Sequence, residues 1–318
     1  MPNGSNRRVN GETNKIEIFK PFEEALGLTK QILFQPFDLT KWFVIGFTAW
    51  LANLGNANYN FNLNREDLKN VPFFRDAEEA LSQVPAWLIV SGVVAIFIFV
   101  IAIMILFAWL RSRGSFMFID CVVKNRGVIA EPWREFREQG NSYFLLKLVV
   151  AIVIAVILAI AALPFILLLI KRTTFEQAPV YFICAIAFWA IVFAVVIVAW
   201  GLISHFMVMV MYRRRCLARE GWHVAVSLIS NYPGEITLYC LFWIVLTIGS
   251  AMASCVVVLA TCCIALLPYI GTVILLPLFV CLRAFGLRFA RQFGPEYDVW
   301  AGILETATPP PVPPPLPS

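Results

Sequence analysis

Three residues of this 318-residue chain, Asp120, His205 and His223, have side chains that could transfer protons in or beside an apolar segment. His205 follows Ser204 inside a long uncharged run and precedes Arg213 by about eight residues, or roughly 12 Å of helix. A buried imidazole at this position could relay protons or bind a lipid phosphate. The run is also long enough to reach the lipid headgroups, where a histidine needs no special role. We favour the second interpretation and keep Ser204 and His205 as a candidate polar site within the membrane.

Catalysis requires titratable or metal-binding groups that converge, and ion-coupled carriers place such groups inside their spans. The long apolar runs contain no Asp or Glu, and the eight cysteines lack the spacing of metal ligands. We therefore expect no enzyme, no metal and no cofactor. An intramembrane or interfacial enzyme acting through the two histidines or Asp120 is a less favoured third class.

Basic side chains collect next to the apolar runs, where each could attract an anionic lipid headgroup by about 1 kcal/mol. The candidate headgroup contacts are Arg111, Arg113, Arg213, Arg214, Arg215, Arg283 and Arg288. The first interpretation is that this basic collar orients the protein in the bilayer. A specific phospholipid or phosphate site among these arginines is the second.

Apolar helices must position these residues. Hydrophobic residues make up 60% of the chain and charged residues 14%, a balance outside the range of soluble domains. A bilayer core of roughly 30 Å requires about 20 apolar residues of helix. We predict an all-α, polytopic transmembrane bundle with six spans, at about residues 39–55, 86–110, 146–170, 179–211, 236–262 and 266–287.

The first span is short, although Asp38 is placed to cap its N-terminus after Pro36. With six spans, 20 of the 25 Lys and Arg residues lie on one side of the membrane, whereas with five spans the division is 14 to 11. Because cytoplasmic loops are enriched in Lys and Arg, we predict six spans with both termini in the cytoplasm. Membrane topology thus explains the net charge of +5 better than nucleic acid does.

The chain is expected to divide into a cytoplasmic tail (1–38), a transmembrane domain (39–292) and a proline-rich cytoplasmic tail (293–318). Phe19, Phe22 and Leu26 recur at helical spacing, which predicts an amphipathic helix that lies on the membrane surface or packs on the other helices. Short amphipathic helices are also predicted after Pro132 and after Arg215.

Three further segments carry weaker predictions. The asparagine-rich outer loop, residues 55–85, is expected to be a solvated cap, with ligand capture as the less favoured alternative. Cys262 with Cys263 could be oxidised at an outer turn. The segment Pro309–Pro317 favours polyproline II, which could bind a protein partner or form a stiff end.

Two segments, Phe116-Met117-Phe118-Ile119-Asp120 and Glu131-Pro132-Trp133 leading to Gly140-Asn141, resemble uncharacterised bacterial six-helix membrane proteins. These include the membrane domain attached to some glycerophosphodiester phosphodiesterases. The catalytic barrel of those enzymes has no counterpart, because no soluble segment is long enough and neither histidine precedes Arg-Gly. The resemblance therefore implies an accessory or lipid-associated module of the bacterial inner membrane.

We accordingly expect a non-catalytic accessory or scaffold protein whose partners are membrane lipids. A protein partner could bind through the proline-rich tail or the cytoplasmic loops. The alternative is a carrier or permease for lipids or small solutes. The oligomeric state is left open.

Overall fold

The computed structural model describes residues 16–54, 85–170, 179–261 and 264–301, and in these ranges the chain is all-α, without a strand. The helices are α1 (Phe19–Phe34), α2 (Leu39–Ala52), α3 (Ala86–Val123), α4 (Ala130–Glu135), α5 (Arg137–Ile170), α6 (Pro179–Arg214), α7 (Ala218–Asn231), α8 (Pro233–Ala260), α9 (Pro268–Ile274) and α10 (Leu276–Arg291). A 3-10 turn, Ile264–Leu266, precedes α9. Residues 55–84 of the predicted outer loop, the Cys262–Cys263 pair and the segment Pro309–Pro317 lie outside the described residues.

Four helices contain segments long and apolar enough to cross a membrane. These segments are Trp87–Val123, Arg137–Leu163, Ile186–Arg214 and Pro233–Ala260, and they correspond to the second to fifth predicted spans. Their apolar side chains are open to the surroundings, with Phe97 65% exposed and Met252 68% exposed. So large an exposed apolar surface is typical of contact with lipid, which indicates an integral membrane protein.

The first predicted span forms the shorter helix α2. The Asp38 carboxylate accepts hydrogen bonds from the backbone N–H of Thr40 (2.8 Å) and Lys41 (3.3 Å), which confirms the predicted N-cap. With 14 residues, α2 is about 21 Å long. It lies beside the buried end of α3, so close that a β-carbon added to Gly114 would stand 2.7 Å from the carbonyl carbon of Leu51.

The region of the sixth predicted span is not one continuous helix. Helix α9 ends at Ile274 and α10 begins at Leu276, where Pro277 occupies the first turn and cannot donate a backbone hydrogen bond. The structure therefore supports four helices able to cross a membrane. Six spans remain a prediction.

At one end of the four long helices, away from their exposed apolar segments, lies a compact region that we call the basal core. It is formed by α1, α2, α7, α10 and the adjoining ends of the four long helices. Its largest buried side chains include Phe116, Phe136, Phe206, Phe285 and Phe289. Helix α1 packs on α10, where the ring centroids of Phe22 and Phe285 are 6.2 Å apart. Phe19 stays 77% exposed, so a membrane contact of α1 remains a prediction.

Candidate functional site

Six helices meet around a cavity of about 490 Å³, a size within the range of roughly 300–1,000 Å³ for small-molecule sites. Its polar lining consists of Asn53 after α2, Arg111 and Ser115 of α3, Tyr143 and Lys147 of α5, Ser204 and His205 of α6, Thr247 and Ser250 of α8, and Arg283 of α10. We call it the basic cavity, because Arg111, Lys147 and Arg283 line it and its described lining contains no Asp or Glu.

The sequence places two of the three cations where an apolar segment meets the basal core. Arg111 directly follows the apolar run of α3, and Lys147 directly precedes that of α5. Tyr143 lies four residues before Lys147 and so shares its face of α5. The Lys147 ammonium nitrogen is 4.1 Å from the centroid of the Tyr143 ring, so an aromatic face, rather than a carboxylate, holds this cation.

Arg283 enters the cavity from α10. One of its terminal nitrogens, Nη2, donates a hydrogen bond to the backbone oxygen of Ser115 at 3.3 Å, while its Nε is buried without a hydrogen-bond partner. None of the three cavity cations forms an ion pair with a described residue. Because an uncompensated, partly buried cation is costly, the basic cavity is suited to an anion.

His205 lies in the wall of the same cavity. Its Nε2 is 2.8 Å from the Tyr239 hydroxyl, and its ring centroid is 5.0 Å from that of Trp243. The Ser204 hydroxyl donates to the carbonyl oxygen of Trp200 in its own helix at 2.7 Å. The structure thus brings Ser204 and His205, predicted as one polar site, together with Arg111 and Arg283 from the predicted collar.

The other five collar arginines do not line the basic cavity. Arg113 lies over the rings of Trp109 and Trp133, at 4.4 and 4.8 Å, and donates to the Asn141 side chain. Three other collar arginines form ion pairs with carboxylates: Arg214 with Glu296, Arg215 with Glu135, and Arg288 with Glu24 at 3.4 Å. Arg213 is partly buried at the end of α6. Protein groups therefore already engage much of the collar.

Asp120 belongs to a separate, structural cluster in the basal core. It is fully buried, accepts a hydrogen bond from the Tyr212 hydroxyl at 3.0 Å, and pairs with Lys124 at 2.7 Å and Arg126 at 3.0 Å. Burial alone would lower the pKa of Arg126, but hydrogen bonds to Glu131 and Asp120 raise that pKa above its ordinary value. These contacts hold the turn between α3 and α4.

The three polar residues considered for catalysis therefore lie in three different surroundings. Asp120 is in that buried cluster, His205 is in the cavity wall, and His223 is exposed on α7. In the part of the chain that the structure describes, no group of three His, Cys, Asp or Glu residues is placed to hold a metal ion.

Sequence reasoning missed Lys147 and Tyr143 as site residues, and also the polar contributors Asn53 and Ser115. Lys147 lies at the beginning of the third predicted span and is not among the candidate headgroup contacts. A usable signal was present: a cation at the first turn of an apolar run, with an aromatic residue four positions earlier. That Lys147 meets Arg283 from a distant helix could not be read from spacing along the chain.

The chain belongs to DUF7544, a family of unknown function, whose model matches residues 17–294. Curated proteins and solved structures give no match. The expectation of an uncharacterised family is thus met, while the resemblance to the membrane domain of glycerophosphodiester phosphodiesterases receives no support from these comparisons.

Proposed function

We propose that this member of DUF7544 is a non-catalytic, multi-pass accessory or scaffold protein that holds membrane lipid at its basic cavity. The observation that carries the proposal is the position of that cavity. Three cations without a described ion-pair partner collect where the open apolar segments of the long helices join the basal core. A bound anionic lipid would occupy both the charged and the apolar surface.

The non-catalytic character is part of this proposal. Its support is the separation of Asp120, His205 and His223 into three surroundings, because an acid–base mechanism needs its groups within reach of one substrate.

We extend the proposal to six spans, both termini in the cytoplasm and a location in the bacterial inner membrane. The support for the number of spans and for the orientation is the distribution of Lys and Arg along the sequence. In that orientation the basal core faces the cytoplasm, and the candidate sites for a protein partner are the exposed face of α7 and the proline-rich tail.

The test is to purify the full chain in a mild detergent and to profile the lipids and proteins that accompany it. The matched variant lacks residues 309–318. Retained lipid together with a defined protein partner is the expected result, and loss of the partner with the tail would locate its binding site. A protein that carries neither lipid nor partner would overturn the proposal.

A lipid or small-solute carrier is the second candidate, and one observation favours it. The basic cavity lies between helices whose most apolar stretches contain no buried residue, so a modest movement of these helices would give an occupant access to the bilayer. The test is transfer of fluorescent lipids or of small solutes in liposomes that contain the purified protein. A rate equal to that of protein-free liposomes across a broad panel would count against a carrier.

A further inference from the structure

We infer that the basic cavity is a specific site for the phosphate group of an anionic membrane lipid, held by Arg111, Lys147 and Arg283. This inference rests on the proposed function and names the class of ligand. It also distinguishes Arg111 and Arg283 from the other five collar arginines, which do not line the basic cavity.

The distribution of counter-ions supports the inference. Several arginines elsewhere in the described chain pair with carboxylates, among them Arg126 with Asp120 and Arg291 with Asp298, both at 3.0 Å. The three cations of the basic cavity come from three different helices and share a described lining without Asp or Glu. Like charges repel at short range, so a compact anion between them would lower the free energy of the arrangement.

The available donors fit phosphate. Guanidinium groups bind phosphate oxygens through charge-assisted hydrogen bonds, and a lysine adds a point charge. The Nε of Arg283 is buried without a hydrogen-bond partner, so a donor is already desolvated there. Ser115 and Thr247 place hydroxyl groups in the same lining, but their hydroxyls donate to carbonyl oxygens of their own helices. The recognition therefore falls on the three cations.

The surroundings favour a lipid over free phosphate. Beyond Lys147, α5 continues with exposed apolar residues such as Val149 and Ile152, at 50% and 55% exposure. Before Arg111, α3 presents exposed Met104 and Phe107. A lipid whose phosphate group is bound in the basic cavity would thus have its acyl chains within a few helical turns of exposed apolar surface.

The experiment measures binding of phosphatidylglycerol to the delipidated full chain in a maltoside detergent, with zwitterionic phosphatidylcholine as the reference lipid. Inorganic phosphate is added as a competitor at matched ionic strength. The variants are Arg111→Gln and Lys147→Gln, the charge-preserving variant is Lys147→Arg, and the matched control is Arg214→Gln, which removes a collar charge outside the cavity. Thermal unfolding in the same detergent shows which variants are folded.

Removal of one cation is expected to weaken binding of phosphatidylglycerol about tenfold or more, since a hydrogen bond to a charged group contributes about that factor. Lys147→Arg should stay within about threefold of the unmodified protein, and Arg214→Gln should leave binding unchanged. Preference for phosphatidylglycerol that survives both cavity substitutions would overturn the inference.

Competition with inorganic phosphate distinguishes a lipid phosphate group from free phosphate as the ligand, and this comparison needs no variant. If inorganic phosphate at millimolar concentration displaces the lipid, the site recognises the phosphate group itself, as inferred. If inorganic phosphate binds and phosphatidylglycerol does not, a lipid source is overturned. Lipid that accompanies the purified protein but is unaffected by the cavity substitutions would refute this site and leave the proposed function standing, whereas a protein without any lipid or partner would refute both.

Discussion

Lys147 and Tyr143 form a cation–aromatic pair inside the basic cavity, with 4.1 Å between the ammonium nitrogen and the ring centroid. Such a pair contributes about 0.5–2 kcal/mol, depending on how far the cation is desolvated. The pair fixes a flexible lysine without neutralising its charge, so the charge remains available to a ligand.

Tyr143→Leu should therefore weaken binding of phosphatidylglycerol about 3- to 30-fold, whereas Tyr143→Phe, which keeps the ring, should leave binding within about threefold. A lipid titration of the three proteins in detergent checks this, with thermal unfolding as a control for folding. Equal loss in both variants would show that the ring does not position Lys147.

Gly201 lines the basic cavity, and a β-carbon added there would meet no atom within 4 Å. Gly201→Leu should fill part of the cavity and reduce lipid binding about tenfold or more, a loss of at least about 1.4 kcal/mol, without lowering the unfolding temperature. Gly249→Leu is the matched control, because Gly249 also has open space and does not line the cavity. Similar binding by both variants would indicate that the lipid occupies another surface.

Gly114 permits the close contact of α2 and α3. An added β-carbon would stand 2.7–2.9 Å from backbone and side-chain atoms of Leu51 and Ala52, so Gly114→Ala should destabilise the protein by about 1–3 kcal/mol. Gly92→Ala in the same helix meets no atom within 4 Å and should cause no loss. Thermal unfolding in detergent compares the two, and an unchanged midpoint for Gly114→Ala would mean that the two helices can separate at little cost.

Asp120→Asn removes a buried charge that Lys124, Arg126 and Tyr212 all contact. The free energy of unfolding should fall by about 2–3 kcal/mol, because the partners lose a desolvated counter-ion. Glu131→Gln is the control. Glu131 contacts the same Arg126 at 2.7 Å, but its side chain is 59% exposed, so this substitution should lower the free energy of unfolding by less than about 1 kcal/mol. Denaturant unfolding followed by tryptophan fluorescence gives both values, and equal losses would contradict a structural role for the buried cluster.

The number of spans can be tested with an epitope tag inserted at Asn60 and a second tag at the N-terminus. Because cytoplasmic loops are rich in Lys and Arg, the tag at Asn60 should be digested by protease added outside the cell, and the N-terminal tag should be protected. Protection of both tags would show that the chain does not cross the membrane between its N-terminus and Asn60, and would overturn the prediction of six spans.

Much of the architecture could be predicted because lipid imposes a simple rule: a helix must be long and apolar to cross. That rule predicted α3, α5, α6 and α8, and the suitability of Asp38 as an N-cap predicted where α2 begins. It could not predict that α2 lies against the buried end of α3, because this depends on Gly114 facing Leu51 across a contact between distant segments.

Prediction of the site was partial for a related reason. Charge next to an apolar run singled out Arg111 and Arg283, but it also singled out Arg113, Arg214 and Arg215, which contact aromatic rings or carboxylates. Whether a basic residue keeps its charge free depends on its neighbours in three dimensions. Lys147 was missed because its spacing from Tyr143 predicts a contact on one helix face but does not show whether a distant segment supplies a counter-ion.

Helix α3 runs without a break for 38 residues, from its open apolar segment into the basal core. Such a helix behaves as a rigid lever with its pivot near Arg111, where lipid contact gives way to packing. A change in bilayer thickness that tilts the lipid-exposed arm by about 10° would move Val123, roughly 18 Å beyond the pivot, by roughly 3 Å. We therefore expect a tilt of α3 in the bilayer to be passed on to the basal core, because one unbroken helix contributes to both.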